Sequence, residues 1–338
     1  MFPARERAMP SGITGALPSG ITGAINGALA APTTRTLATS RGSLLLIDDT
    51  KCEPFVGGNK ARKLLSGLLH DAQSRGARRL LTCGATGSHH VLAASALGPI
   101  WNLDVHALLW PQAPSVHADC IHRASLRLGL REYYVQDARD FGAAFRALAA
   151  GLRGDTEVIP LGGSTPASLE AHALAVRQLL RANPAVAKLD AIVVPLGSGG
   201  TSLGVALGLS QVLGNEGPRV HGILVSRPAY ALRMLVSQLV ARATLGGLID
   251  VRLARSAMAR LCTNADYIDP GYGAASERVL AAITWGNLQG IHLDPTYTGK
   301  AFAAALDFAD RRATPRSTPV NAVGFWHTLG RVPGSETG

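Results

Sequence analysis

Val193-Val194-Pro195-Leu196-Gly197-Ser198-Gly199-Gly200-Thr201-Ser202-Leu203 reads as a buried strand, a glycine turn and the start of a helix. An apolar run without polar alternation is a strand covered on both faces, which belongs to a parallel sheet flanked by helices. The glycines let backbone amides approach a ligand closely, Ser198 and Thr201 add hydroxyls, and the helix start adds its positive end. The turn therefore reads as a cradle for a phosphate. It is not a P-loop, because no lysine follows at the required place. Its glycines also lack the spacing of a dinucleotide fingerprint.

The same alternation extends to both sides. Residues 44–47, 79–83, 105–110, 133–136, 191–195, 220–225 and 321–325 read as strands, the second of them ended by Gly84. Residues 60–75, 91–97, 118–128, 167–182, 202–212, 229–244, 277–289 and 299–311 read as helices. This predicts an α/β fold of two open, mostly parallel twisted sheets covered by helices, with ligands in a cleft at the carboxyl ends of strands. The expected partition is a large domain from residues 43–80 and 161–333, a small domain over 81–160, and a tail at 334–338. Residues 1–42 stand apart as a flexible or atypical lead-in. They contain Pro10-Ser11-Gly12-Ile13-Thr14-Gly15-Ala16 and its near copy starting at Pro18, and they lack an acid between Glu6 and Asp48. An organellar transit segment, an overlong start and a loose lead-in all have this composition.

The formal charge of +10 does not by itself imply a polyanion partner. The basic residues are scattered and no stripe interleaves them with aromatics, so nucleic acid is not the expected ligand. No apolar run has the length that spans a bilayer. Cys52, Cys83, Cys120 and Cys262 form no close pair, which points to a reducing, cytoplasmic setting and away from a disulfide framework or a structural zinc site.

Three further stretches carry candidate chemistry. In Gly57-Gly58-Asn59-Lys60-Ala61-Arg62-Lys63-Leu64 a lysine follows a glycine pair at a helix start, whose positive end favours the neutral, nucleophilic amine. The competing reading makes Lys60, Arg62 and Lys63 solvated charges beside an ordinary turn. In Gly84-Ala85-Thr86-Gly87-Ser88-His89-His90 the amides can receive a carboxylate, Ser88 either relays a proton or caps the helix, and the imidazoles donate to an oxygen. Two adjacent histidines without nearby cysteines or carboxylates do not make a metal site. Finally, Gly271-Tyr272-Gly273 and Asp294-Pro295-Thr296-Tyr297-Thr298-Gly299-Lys300 each hold a tyrosine in a turn, where its hydroxyl can line a pocket. A lysine, a phosphate cradle and an anion-binding loop are the parts of a pyridoxal phosphate enzyme.

These motifs, with His327-Thr328-Leu329-Gly330, occur in the order found in the 1-aminocyclopropane-1-carboxylate deaminase and D-cysteine desulfhydrase family, and from about residue 44 to 333 the chain resembles that family. The resemblance implies the tryptophan-synthase-β-like fold of type II pyridoxal phosphate enzymes, with pyridoxal 5'-phosphate in the large domain and a homodimeric assembly. It implies that Lys60 holds the cofactor covalently and takes the Cα proton, that Asn59 steadies it, and that Gly197, Ser198, Gly199, Gly200 and Thr201 hold its phosphate. Ser88 would lie against the substrate, with His89 and His90 near its carboxylate or the ring oxygen. Tyr272 and Tyr297 would line the substrate side, and Thr298 or Thr328 would face the ring nitrogen.

Three positions depart from the family pattern. His89 stands where asparagine is usual. Thr298 and Thr328 replace the glutamate and leucine of cyclopropane deaminases, as in desulfhydrases. Leu329-Gly330 replaces a glycine pair. The activity implied is β-elimination from a small amino acid, giving a 2-oxo acid and ammonia. The alternatives are β-replacement, hydroxyamino-acid deamination, cyclopropane ring opening, and a non-catalytic scaffold or regulator that binds the cofactor.

Overall fold

Strand β7 (Ala191–Leu196) is buried at every position, as its unbroken apolar run predicts. Its alternate residues serve two cores. Ile192, Val194 and Leu196 pack with Leu169, Val176, Leu203 and Val236 on one face, while Ala191 and Val193 pack with Phe302, Phe308 and Phe325 on the other. This is the period-2 alternation of a strand applied to a sheet with helices on both sides. Burying each such valine or isoleucine contributes roughly 1.5–3 kcal/mol.

The computed structural model describes residues 29–137, 140–152, 154–226, 228–310 and 322–333. The expectations for residues 1–28, the repeat included, and for 334–338 lie outside the described residues. Six strands form the larger sheet: β1 (Thr33–Ala38), β2 (Ser43–Asp48), β7, β8 (Arg219–Leu224), β9 (Leu261–Asn264) and β10 (Val323–His327). Their spatial order is β1-β2-β10-β7-β8-β9. Only the β1–β2 pair is antiparallel. A second, fully parallel sheet contains β3 (Arg79–Ala85), β4 (Asp104–Trp110), β5 (Arg131–Tyr134) and β6 (Thr156–Val158) in the order β5-β4-β3-β6. Two open, mostly parallel α/β sheets are thus present. Helix α1 (Gly58–Lys63) and helix α3 (His89–Leu97) pack beside the smaller sheet, and α6 (Pro166–Ala182) and α7 (Gly200–Leu213) beside the larger; α2 (Leu69–Ser74), α4 (Val116–Arg127) and α5 (Phe141–Gly151) complete the first half.

Several elements differ from the sequence reading. The ordered fold begins before residue 43, because β1 pairs along its whole length with β2, so the polar Thr-Thr-Arg-Thr run sits on an exposed edge where little burial is needed. The helix expected over 60–75 is interrupted by a π-helical turn at Leu64–Leu68, where Ser66 and Gly67 leave helical geometry and Gly67 takes φ of 104°. The apolar spacing continued through this point, but an interior glycine does not hold a helix straight. Strand β3 runs through Gly84 to Ala85 because β4 pairs with both. The last strand is shifted toward the C-terminus and ends at His327, and β5 is shifted toward the N-terminus. Helix α5 and strand β6 were not expected, nor were strand β9 and the helix Val251–Arg260 before it.

Candidate active site

The carboxyl ends of β3, β7 and β10 converge on one cavity of about 520 Å³, within the size range of small-molecule sites. Of the residues proposed from sequence, Asn59, Lys60, Ser88, His89, His90, Gly197, Ser198, Gly199, Thr201, Tyr272, Tyr297, Thr298 and Thr328 line it. Gly200 does not. It stands behind the cavity wall, where a Cβ would come within 2.5 Å of Ser164 Oγ.

Lys60 is presented by a loop that only glycine can build. Gly57 and Gly58 both have φ of 65°, and a Cβ on Gly57 would lie 1.9 Å from the Thr50 carbonyl oxygen. The buried Glu53 carboxylate ties this loop down by accepting from the amides of Phe55, Val56 and Gly57 at 2.7, 2.7 and 3.0 Å. On the helix that follows, Arg62 and Lys63 are not solvated charges. Arg62 is buried in a bidentate pair with Asp49, and Lys63 is buried at the cavity, donating to Gly162 O at 3.2 Å and Ser164 Oγ at 3.0 Å.

Lys60 itself makes no hydrogen bond or ion pair among the described residues. Its Nζ lies 5.8 Å from the centroid of the Tyr297 ring. Burial lowers its pKa to about 8, against a small opposing pull from Asp294. Loss of hydration, rather than the helix terminus invoked from sequence, therefore favours the free amine.

The glycine turn after β7 is shaped as a cradle. Gly199 has φ of 88°, and a Cβ there would meet Val236 Cγ2 at 2.6 Å; one on Gly197 would meet Tyr297 Cε1 at 2.9 Å. Helix α7 starts from Gly199 with no side-chain cap, leaving its first amides for a ligand. Asn59 Nδ2 donates to Thr201 Oγ1 at 2.9 Å, and Ser198 Oγ is 2.7 Å from Ser164 Oγ.

On the opposite wall, the Tyr272 and Tyr297 hydroxyls are 2.9 Å apart with their rings perpendicular. Burial pushes Tyr272 up to about 12 and Tyr297 well above the usual phenol range, so both are neutral hydroxyls. Thr298 is not free to reach a ligand as a donor. Its hydroxyl donates to Asp294 Oδ2 at 2.6 Å and accepts from the Asp294 amide at 2.9 Å. Thr328 has no such partner among the described residues. Ser88 Oγ accepts from the Val91 amide at 3.4 Å and so caps α3 while lining the cavity. His90 Nε2 is 2.8 Å from Thr82 Oγ1, which itself donates to Ile159 O, so Nε2 carries the proton and the buried Nδ1 is left without a partner. His89 Nε2 instead meets His117 Nε2 at 2.9 Å.

Sequence reasoning missed Lys63, Gly162, Asp294 and His117. Lys63 shares a helix face with Lys60 at i, i+3, a spacing visible in the sequence. Asp294, four residues before Thr298, is a local turn signal: its carboxylate accepts from the amides of Thr296, Tyr297 and Thr298. Gly162 and His117 carried no signal, since only tertiary packing brings them to the cavity or to His89.

Comparison with known proteins agrees with this geometry. A family model described as pyridoxal-phosphate dependent enzyme matches residues 33–323. The chain belongs to the pyridoxal-phosphate dependent enzymes. It is 31% identical over 285 residues to a D-cysteine desulfhydrase of Salmonella typhi, covering 81% of this chain and 83% of that protein. It is 32% identical over 260 residues to a putative 1-aminocyclopropane-1-carboxylate deaminase of Pyrococcus horikoshii, covering 75% of each. A solved structure of a 1-aminocyclopropane-1-carboxylate deaminase homologue superposes with a TM-score of 0.73 at 27% identity, over 93% of this chain and 95% of that one. The cavity fits the two groups that pyridoxal phosphate presents: Lys60 is an amine with no hydrogen bond or ion pair among the described residues, suited to an aldehyde, and the glycine turn before α7 has an uncapped helix start, suited to a phosphate.

Proposed function

We propose that this enzyme removes the Cα proton of a small amino acid and expels its β-substituent, giving a 2-oxo acid and ammonia, with D-cysteine as the first candidate substrate. The observation that supports this most is Lys60, an unpaired amine lowered to about 8 in a cavity of amino-acid size. About one molecule in ten then has the free base at pH 7. When bound, pyridoxal 5'-phosphate supplies an aldehyde for amines and a sink for the electrons left at Cα.

The remaining steps belong to this chain's residues. Lys60 holds the cofactor and, when displaced, takes the Cα proton at Nζ. The turn at Gly197, Ser198, Gly199, Gly200 and Thr201 binds the phosphate through amides, and Asn59 fixes Thr201 within it. Ser88, His89, His90, Tyr272 and Tyr297 bound the substrate side and exclude water from it. Thr328 is the hydroxyl we assign to the ring nitrogen, since the Thr298 hydroxyl is committed to Asp294. A neutral hydroxyl there suits a good leaving group such as hydrosulfide. The larger sheet with its helices serves as the cofactor-binding domain, and the sheet β3–β6 with α1, α2 and α3 packed against it as the small domain, so the division falls before α1 rather than at residue 80. The working unit is a homodimer in the cytoplasm, in keeping with four free cysteines.

The test is an absorbance spectrum of protein reconstituted with pyridoxal 5'-phosphate, for wild type and Lys60→Ala, followed by a screen of D- and L-amino acids for 2-oxo acid. We expect a visible band of lysine-bound cofactor that Lys60→Ala loses, and release of 2-oxo acid from cysteine or β-chloroalanine. Product from the cyclopropane amino acid alone, or only with an added nucleophile, would replace elimination by ring opening or β-replacement. A Lys60-dependent band with no turnover or Cα hydrogen exchange would leave a scaffold.

A further inference from the structure

His89 begins helix α3 and lines the cavity, while His117 sits at the second position of helix α4 and does not. Their Nε2 atoms are 2.9 Å apart, and the rings are stacked at 5.0 Å with planes 29° apart. A nitrogen-to-nitrogen contact of this length needs one proton between the rings. One ring must donate and the other accept, so the tautomer of each determines that of its partner. The outer nitrogen of each ring, Nδ1, has no hydrogen-bond partner among the described residues. His89 is the member of the pair that lines the cavity, and the two Nδ1 atoms are the outer ends of the paired rings. His117 is half-buried, and its neighbour Val116 is 85% exposed, so the pair reaches from the cavity toward the surface.

We propose that His89 and His117 form a proton relay between solvent and the cavity, serving the departing β-substituent and Lys60 in turn. This inference rests on the elimination reading above. In the starting arrangement His117 Nε2–H donates to His89 Nε2, and His89 carries its own proton on Nδ1. As the Cβ–X bond breaks and its electron pair leaves with X, the Cα–H electron pair becomes the Cα–Cβ double bond. His89 gives its Nδ1 proton to X, the shared proton moves to His89 Nε2, and His117 takes a proton from water at Nδ1. Both rings are now in the opposite tautomer. The proton that Lys60 removed from Cα leaves by the reverse passage, which restores the start. One proton enters and one leaves per turnover, so the relay resets without ring rotation.

The surroundings suit a neutral relay. The charged or titratable groups acting on His89 are His117, Asp294 beside helix Thr298–Ala309, and Lys60 on α1. Burial, then His117 and Lys60, hold His89 down at about 4 against Asp294, so it is an uncharged imidazole at neutral pH. Asp294 stays ionised despite its burial, its carboxylate accepting from the Thr298 hydroxyl and from the amides of Thr296, Tyr297 and Thr298.

The test uses reconstituted full-length protein in two arms. In the first, the ring nitrogens of ¹⁵N-histidine-labelled wild type and His117→Gln are followed by NMR against pH. We expect the His89 and His117 resonances of wild type to report interchanging tautomers that move together, and His89 in His117→Gln to lock into one tautomer. Rings that titrate independently, with His89 unchanged by His117→Gln, would overturn the relay.

In the second arm, kcat, KM and the solvent deuterium isotope effect are measured for His89→Asn and His117→Gln. We expect kcat of His89→Asn to fall by about 100-fold. His117→Gln should fall by less, with KM held within about twofold and partial rescue by added imidazole. Unchanged kcat in His117→Gln, or no rescue, would likewise overturn it. Wild-type protein that makes no 2-oxo acid from any amino acid removes the elimination reading instead, and the ring resonances then decide the relay alone.

Discussion

Lys60, half-buried at the cavity, and Lys300, fully buried, are both amines lowered to about 8 by loss of hydration, and their partners separate their roles. Lys300 Nζ donates to the carbonyls of Ile268 and Gly271 at 2.7 and 2.5 Å, which holds the turn carrying Tyr272. Lys60 has no such anchor, and an amine left without partners in a cavity is available for chemistry. It also carries a cost. Because its folded pKa lies near 8 rather than 10.5, the folded state binds fewer protons than the unfolded chain between those values, and stability rises with pH across that window. Below about pH 8 the full penalty is present. The shift corresponds to about 3 kcal/mol, reduced to about 2 kcal/mol because Lys60 is partly open to the cavity. Cofactor-free Lys60→Met is therefore expected to be about 2 kcal/mol more stable than wild type at pH 7, an advantage that disappears above about pH 10.5. Urea unfolding of both apo-proteins at pH 7 and 10.5 measures it, and an equal difference at the two pH values would count against a depressed Lys60.

At the scale of the element, the helix starts at the strand ends serve both as structure and as site. Ser88 is the clearest case, being cap of α3 and cavity wall at once. Its cap bond is long at 3.4 Å, so Ser88→Ala is expected to lower stability by only about 0.5 kcal/mol. Turnover should fall by far more than that, at unchanged secondary structure. Parallel urea unfolding and kcat measurements separate the two roles; a kcat that follows stability alone would reduce Ser88 to a cap. The Glu53 loop shows the reverse division. Its carboxylate touches no part of the cavity, yet its three amide bonds determine where α1 begins and hence where Lys60 stands.

Across the whole molecule, the two sheets present their strand ends to a common space, and side chains of α1 bridge them. Asn59, on the helix next to the smaller sheet, donates to Thr201 on the first turn of α7, and its own amide donates to Thr328 O at 3.2 Å beyond β10. This joins three separated segments around the phosphate turn. Asn59→Ala removes one neutral hydrogen bond, about 1 kcal/mol. We expect about fivefold weaker pyridoxal 5'-phosphate binding with the backbone bond and fold retained. Titration of apo-protein with cofactor, read by the visible band, checks this; an unchanged affinity would show that Thr201 needs no partner.

The sequence by itself determined the α/β alternation, the glycine turn after β7 and the place of Lys60 at a helix start, because each rests on neighbours in the chain: apolar period, turn residues, helix starts. The same local reading located Ser88, Tyr272 and Tyr297. It misjudged the straightness of the helix after Lys60 and the start of the fold. The first needed the geometry of Gly67, and the second needed the pairing of β1 with an edge of β2. Only the tertiary structure decided which charges are buried, that Thr298 is committed to Asp294 while Thr328 is not, and that His117 lies against His89. Burial and hydrogen-bond partnership depend on residues distant in sequence, and a single chain read in order shows which groups can interact but not which ones meet.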